Sequence, residues 1–330
     1  MFDLIDTQIL HALQCSPRVP FRRVAQLIGV SEQTVARRYG ALRREGVLRV
    51  LGRSAPAALH RDEWVARIQC RPDRVDAVAD ALARRPDVSF AHITSGGAEV
   101  MCLLRAGGPA GGNDVLLRQL PKSVSVLGVR IDLLLHRFGA PGHSSWTGYE
   151  GRLSAEQEQQ LRDELPSVTG PPVEPSTEDA ALLAVLERDG RATHAQLARE
   201  TGWATTRVAR RLAALESSGA LYYDVDLLPE RLGYHSHANI WIRVAPRHLE
   251  EVGEELASHD EVAVTLAVGG PDNLMAVAIC RDPAALYRYL TTRIASIRAI
   301  DGYEVSVRVR ALKQAGALVS TGRLGTVIGG

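Results

Sequence analysis

The sequence predicts an α+β chain built twice over, each copy a winged-type helix-turn-helix domain followed by a βαββαβ domain. Three observations carry that expectation. Set against itself at an offset of 173, the chain shows 14 identities among the 43 positions from 6 to 48, without a gap. At an offset of 174 the match continues through Pro72/Pro246, Val78/Val252, Leu82/Leu256, Val88/Val262, Gly96/Gly270, Met101/Met275 and Gly128/Gly302. In each copy apolar residues at helical spacing come first and strand-like alternation follows.

In the first copy Ile5, Ile9, Leu10 and Leu13 recur at helical spacing, and a short second helix is expected from about Arg22 to Ile28. Gly29 ends it, because a tight inter-helix turn needs a left-handed residue, and Ala25 is small enough to let two helices cross closely. Ser31 caps a third helix, Glu32 to Glu45, which turns Val35, Tyr39 and Leu42 inward and stops at Gly46. The outward face near its start holds Glu32, Gln33, Ala36 and Arg37, where a recognition helix meets base edges. Gln and Arg are residue types that read adenine and guanine. From Arg18 to Arg53 nine arginines (18, 22, 23, 37, 38, 43, 44, 49, 53) face two acids, Glu32 and Glu45, a local charge of +7. Phosphate binding needs such a footprint.

The second copy keeps the scaffold through Ala198, Gly202, Val208, Leu212 and Leu215, but its outward residues are Thr205, Thr206, Ala209 and Arg210. Between Arg191 and Tyr223 five arginines face two acids, a charge of +3, and Ala204 beside Trp203 stands where the first copy has its capping serine. The DNA-contacting residues expected are Arg22, Ser31, Glu32, Gln33, Thr34, Arg37, Arg38 and Arg43, with Thr205, Thr206, Arg207, Arg210 and Arg211 in the second copy.

For the second part of copy two, HANIWIRV alternates as a strand, Pro246 opens a helix, EVAVTLAV and NLMAVAIC are strands joined across GGPD, and AALYRYLTTRIASI precedes the strand YEVSVRVRAL. Copy one repeats the order with WVARIQC, DRVDAVADALARR, VSFAHIT, EVMCLLR, a shortened helix near DVLLRQL, and VRIDLLLHRF. A four-stranded antiparallel sheet with two helices on one face follows, and its uncovered face and edges make pairing of the two units within one chain the expected solution. The boundaries read 1–55 and 60–138 for copy one, 178–228 and 235–313 for copy two. Residues 139–177 read as a Pro-, Gly- and Ser-rich linker with one helix opened by Ser154 and Gln157, and 314–330 as a flexible tail.

The 39 basic and 38 acidic residues nearly cancel, so any nucleic-acid surface has to be local. No apolar run approaches the roughly 18 residues that span a bilayer, and MFDLIDTQIL carries acids where a signal peptide carries a basic patch. A cytoplasmic protein with no membrane partner is expected. Cys15, Cys70, Cys102 and Cys280 form no CxxC pair and read as small buried residues. His235 and His237 could share a strand face, but two histidines without a third ligand mark a polar strand end. No Gly-rich phosphate loop, Ser-His-Asp order or carboxylate cluster is present, so no catalytic residue, cofactor or metal is expected.

These residues resemble the Lrp/AsnC family of feast/famine transcriptional regulators, in a tandem-duplicated form. The shared pattern is an acid opening helix one (Asp6, Asp179), the hinges VAQLIG and LARETG, and then Val35, Arg38, Leu42, Gly46 and their counterparts Val208, Arg211, Leu215, Gly219. The resemblance implies a ferredoxin-like effector-binding and dimerisation domain after each helix-turn-helix, DNA bound by two recognition helices, and further homo-oligomers. It also implies an effector, often an amino acid, near a Gly-x-x-Asp loop. That loop matches Gly269, Gly270, Pro271 and Asp272, followed by Asn273; copy one has Ser95, Gly96, Gly97, Ala98 and Glu99, without the aspartate.

The function expected is therefore a sequence-specific DNA-binding regulator responding to a small-molecule effector. Two alternatives stand beside it. Siroheme decarboxylases look like the same two-part architecture, but they carry a His-x-x-Asn or His-Tyr-Asn stretch, and the segments here, Ser95 to Val100 and Gly269 to Leu274, contain no histidine. The chain is accordingly expected not to be an enzyme. The other alternative is a ligand-sensing assembly module without DNA binding.

Overall fold

A computed structural model describes residues 2–55, 62–105, 125–139, 146–165 and 173–327. The first copy opens with α1 (Leu4–Cys15), α2 (Phe21–Ile28), α3 (Glu32–Arg44) and β1 (Leu48–Ser54). Gly29 takes the left-handed conformation at φ 72°, and Ser31 Oγ accepts from the Thr34 amide at 3.1 Å, so hinge and cap are where the sequence puts them. The sheet domain follows as β2 (Glu63–Cys70), α4 (Val75–Ala83), β3 (Val88–Thr94), β4 (Glu99–Arg105) and β5 (Val126–Phe138); the helix expected near DVLLRQL lies outside the described residues. After α5 (Ala155–Asp163) the second copy runs α6 (Ala180–Arg188), α7 (His194–Thr201), α8 (Thr205–Ser217) and β6 (Leu221–Leu227). Its sheet domain comprises β7 (Ser236–Val244), α9 (Leu249–Ala257), β8 (Val262–Val268), β9 (Leu274–Cys280), α10 (Pro283–Tyr289) and β10 (Ile300–Gln314). No helix among the described residues is long and apolar enough to cross a membrane.

The two four-stranded sheets, β3-β4-β2-β5 and β8-β9-β7-β10, join at both ends. One seam pairs Leu134 with Val268 and Phe138 with Thr265; the other pairs Arg308 with Thr94 and Lys313 with Ala91. Every pairing is antiparallel, and the eight strands close into a ring that leaves neither sheet an unpaired edge. Alternation along each strand then divides the core. Outward, Ala66, Ile68, Val100 and Cys102 pack on α4, and Ile240, Ile242 and Ala276 pack with Val252, Leu256 and Leu286 of copy two. Inward, Val65, Met101, Leu103, Trp241, Leu266, Val268 and Met275 fill the ring. Each fully buried large apolar side chain contributes about 1.5–3 kcal/mol.

A second junction joins the helical units. β1 and β6 pair antiparallel, Leu48 opposite Leu227 and Val50 opposite Val225. Beside this ribbon Arg18 donates to the carbonyls of Gly190 and Ala192 at 2.6 and 3.2 Å, and Arg191 donates to those of Pro17 and Val19 at 2.7 and 2.8 Å. The identity Arg18/Arg191 in the repeat is thus a reciprocal clamp between copies.

Two segments differ from expectation. The linker is not a free tether over its described part: Gln14 Nε2 donates to Trp146 O (2.9 Å), Thr7 Oγ1 to Gly151 O (2.9 Å) and Gln157 Nε2 to Leu27 O (2.5 Å). Its turn-rich composition hides four apolar side chains, Trp146, Tyr149, Leu153 and Leu161, that join the core of the first helical unit. The tail, expected to be irregular, is ordered into strands over its described part, to Val327. It forms β11 (Ala317–Ser320) and β12 (Arg323–Val327), which extend the sheet from β10. The two turns place Ala315 and Gly316 at φ 45° and 84°, and Thr321 and Gly322 at φ 48° and 67°. Those are primed hairpin turns, but Ala and Thr are weak signals for them, which is why the sequence does not announce the strands.

Two outcomes follow. Because the ring closes within one chain, sedimentation at decreasing concentration is expected to keep one compact species; halves that tumble independently would contradict the seams. Asp226 of β6 is buried, with Oδ1 accepting from Gln314 Nε2 at 2.6 Å and Oδ2 unpartnered. Burial pushes its pKa up to about 7, with Asp224 adding to the rise and Arg53 and Arg49 opposing it. A carboxyl with a raised folded pKa stabilises fully below the ordinary carboxylate range, and that contribution is lost as pH rises through 7. Asp226→Asn keeps the acceptor, so urea unfolding should find it more stable than the parent at pH 8 by about 1–3 kcal/mol, the gap closing towards pH 4.

Candidate nucleic-acid interface and ligand loops

On α3 Val35, Tyr39 and Leu42 are buried while Ser31, Glu32, Gln33, Ala36 and Arg37 are exposed, with Thr34 half-buried. Further along the helix a groove is lined by Ala36, Arg37, Tyr39, Gly40, Arg43 and Arg44. On α8 Thr205, Thr206 and Arg210 are exposed over buried Val208, Leu212 and Leu215. Arg22, Arg37 and Arg210 make no ion pair among the described residues. Among the arginines expected to contact DNA, they are the ones not committed to an acid within the described residues.

Four of the expected DNA contacts are engaged inside the molecule instead. Arg38 Nη1 reaches Asp3 at 2.6 Å and Asp6 at 3.1 Å, and Arg211 holds Asp179 at 2.6 Å. Burial would raise Asp179, yet the Arg211 and Ser176 hydrogen bonds hold it below the ordinary carboxylate range. The acid at the start of helix one and the arginine of the recognition helix therefore recur together because they bind each other. Arg43 pairs with Asp189 of the other copy at 2.9 Å, and Arg207 bonds Glu178 while its guanidinium lies 4.0 Å from the Trp203 ring. Both are half-exposed and tied to surface acids, so they are poorer phosphate ligands than their number suggests.

The glycine loops sit at the seams of the ring. Asp272 accepts from Arg130 Nη1 at 3.1 Å, and Arg130 Nε donates to Asp132 at 2.8 Å. Arg130 Nη2 is buried with no acceptor. Gly270 has φ +110°, and a Cβ there would lie 2.5 Å from Asp132 Oδ1 and 3.0 Å from Arg130 Nη2, so only glycine allows this approach. Gly269 N–H donates to Leu133 O (2.8 Å), Pro271 is exposed, and Asn273 is bonded through both side-chain atoms to Val244. In copy one Glu99 is buried and accepts from Arg67 and Thr94, both at 3.1 Å. Arg67 also pairs with Glu304 and lies 4.6 Å from the Trp241 ring, while Ser95 and Gly96 are exposed and Gly97 half-buried. Arg67, Arg130 and Glu304 escaped sequence reasoning because each has a partner in the other copy, and Asp132 because its partner Arg130 is tied there. Their signal was a charged residue in phase with the inward positions of its strand, as Arg67 is with Val65 and Glu304 is opposite Trp241.

His235 precedes β7 and is exposed, whereas His237 is buried on it with Nε2 3.0 Å from Tyr234 O; they do not converge. A trio that the sequence did not suggest, His11, Cys15 and Glu158, gathers where α1 meets α5. The Leu153 amide donates to His11 Nδ1 at 3.1 Å, so the ring proton sits on Nε2, facing Cys15 and Glu158. Burial lowers the His11 pKa to about 4, against the pull of Glu158. All four cysteines are free and buried, and burial lifts Cys15 and Cys102 to about 12.

The AsnC-type helix-turn-helix model matches residues 2–43 and again 179–216, and the Lrp/AsnC ligand binding domain matches residues 237–318. An uncharacterised HTH-type transcriptional regulator of Pyrococcus furiosus is 30% identical over 131 residues, 39% of this chain and 88% of the relative. The chain belongs to the Lrp/AsnC family. LrpA of Pyrococcus horikoshii, an HTH-type transcriptional regulator, is 28% identical over 123 residues, 37% of this chain and 87% of LrpA. A relative is thus spanned by about two fifths of this Lrp/AsnC chain, the length of one copy. Among solved structures, the siroheme decarboxylase NirDL superposes with a TM-score of 0.64 at 15% identity, covering 95% of this chain and 93% of NirDL. Its co-complex with an iron-uroporphyrin III analogue gives 0.62 at 14% identity over 90% and 88%. The expectation that the chain is no enzyme is overturned by this likeness: the doubled Lrp/AsnC architecture is also an enzyme's, so architecture does not separate the classes.

The two neighbouring arginines of α3 should separate cleanly in urea unfolding. Arg38→Ala strands Asp3 and Asp6 and is expected to cost about 1–2 kcal/mol, whereas Arg37→Ala should stay within about 0.5 kcal/mol.

Proposed function

We propose that the chain is a transcription regulator acting in the cytoplasm, that it binds double-stranded DNA through the start of α3 with α8 as a weaker second reader, and that it responds to a small-molecule effector. The observation that carries this reading is the state of α3. Its inward side is packed and its base is tied by Arg38, while Gln33, Ala36 and Arg37 are left uncovered on a segment of net charge +7. A helix so arranged presents Gln and Arg to major-groove edges and surrounds them with phosphate ligands. The ribbon of β1 and β6 joins two heads that differ in residues and charge, which supports an asymmetric operator. At the seam, the unpaired Arg130 Nη2 beside Gly270 and Asp272 supports an effector with an anionic group, such as the carboxylate of an amino acid, with Ser95 to Glu99 as an altered counterpart. Exposed Tyr303, Val307 and Val309 along β10 support further self-association.

Gel shifts on a duplex selected in vitro against the chain test the reading. Affinity should fall linearly in log–log against salt. Arg37→Ala should lose about 1–3 kcal/mol of binding and relax specificity, Arg210→Ala less. An Arg37→Ala loss no greater than that of Arg210→Ala would overturn the order of the two readers, and a tetrapyrrole bound in an absorbance titration would move the reading to the decarboxylase class.

A further inference from the structure

A helix ends with carbonyl oxygens that have no amide of their own, and the negative end of its dipole lies there. At the end of α3 the carbonyls of Ala41, Leu42 and Arg43 are taken by the amides of Glu45, Val47 and Gly46. The next two are met from the far end of the chain. Arg323 Nε donates to Glu45 O at 3.0 Å and Arg323 Nη2 to Arg44 O at 2.8 Å. One forked cation thus satisfies both carbonyls and opposes the dipole. The contact continues as Leu324 N–H to Gly46 O (2.8 Å) and Arg49 Nη2 to Leu324 O (3.1 Å). Gly46 has φ +66°, and a Cβ there would lie 3.1 Å from Arg323 Cβ and from the Leu324 backbone, so a side chain would push the hairpin off.

The hairpin is continuous with the ring. Lys313 pairs with Leu318, Val319 with Leu324, and β10 itself pairs with both β7 of copy two and β3 of copy one. Where β10 leaves the ring it grips the ribbon: Gln314 Nε2 donates to Leu227 O at 2.7 Å, and Arg53 bonds Ala315 O. The end of α8 is different. Its closing bonds come from its own residues, Ser218 and Gly219 amides to Ala214 and Glu216 carbonyls, and no arginine from another element reaches them among the described residues. The segment 174 residues before the hairpin holds α1 of copy one instead, through Tyr149 and Gly151, while Glu150 pairs with Arg281.

We propose that Arg323 and the β11–β12 hairpin are a positioning clamp that fixes the first recognition helix to the ring strand β10, and that the second recognition helix has no such clamp. A change in the ring therefore reaches the end of the first reader directly through the hairpin, whereas among the described residues β12 meets the second helical unit only at α6 and not at the end of α8. Arg323 is a positioning residue, on the far end of α3 from Gln33 and Arg37. The proposal rests on the DNA-reading role of α3 given above.

The test uses the full chain and the selected duplex. Arg323→Ala is expected to bind roughly three- to tenfold more weakly, to lose protection over the half-site that Arg37→Ala also loses, and to keep the other half-site. Amide exchange at Glu45 to Val47 should quicken while ring amides keep their protection. Arg323→Lys, which keeps the charge without the fork, should fall between. If Arg323→Ala binds and footprints like the parent while those amides quicken, the hairpin is only a structural cap and the proposal falls. It falls too if both half-sites weaken equally with loss of ring protection, which is general destabilisation. A parent chain that selects no duplex removes the DNA reading itself, an outcome distinct from either.

Discussion

The two seams of the strand ring are the constraint on which the molecule depends. Each four-stranded sheet has edges that would otherwise invite pairing with another chain, and β5 against β8 with β10 against β3 closes both at once. Closure also creates the interior in which Trp241, Met101 and Met275 are buried, and it brings the glycine loop of one copy against the charged strand of the other. Arg130 meets Asp272 only because the ring is closed. A sheet that slipped by one residue at a seam would turn the inward set outward, so register and core specify each other.

Duplication within one chain lets the copies keep what the scaffold needs and differ where they face outward. The pairs Asp6–Arg38 and Asp179–Arg211 hold helix one to the recognition helix in both copies, and Arg18 with Arg191 forms a two-way clamp between them. These identities are about packing. The residues that differ, Gln33 against Thr206 and Ser31 against Ala204, lie on the uncovered faces. Support differs as well: the first helical unit is held by the linker, the ribbon and the C-terminal hairpin, whereas the end of α8 closes on itself.

The same two-part architecture is found in a regulator family and in a decarboxylase. This follows from the physics of the fold, which is set by burial inside and outside the ring and by helix crossing in the heads. Chemistry is set by a few residues on surfaces and seams. The unpaired guanidinium nitrogen of Arg130 and the exposed face of α3 are features of this local kind, set by single side chains and not by the ring.

From the sequence alone the helical units, the strand order and the doubling were legible, because they rest on local rules. Gly29 and Gly202 end helices by backbone conformation, Ser31 and Ser154 cap by reach to the nearest amides, and alternation assigns Val65 and Ala66 to opposite faces. The outward residues of α3 and α8 were legible for the same reason, since helical phase tells inside from outside. What only the tertiary structure decided was which charges were already spent. Arg38, Arg211, Arg43 and Arg207 look like phosphate ligands in a charge count, and each has an acid within reach that the chain brings from elsewhere. The helix of the linker was legible, but the packing of the linker and the strands of the tail were not, because Trp146 and Leu324 find their partners more than a hundred residues away. Local spacing sets backbone conformation and face; pairing over such distances depends on closure of the whole chain, which no window of sequence contains.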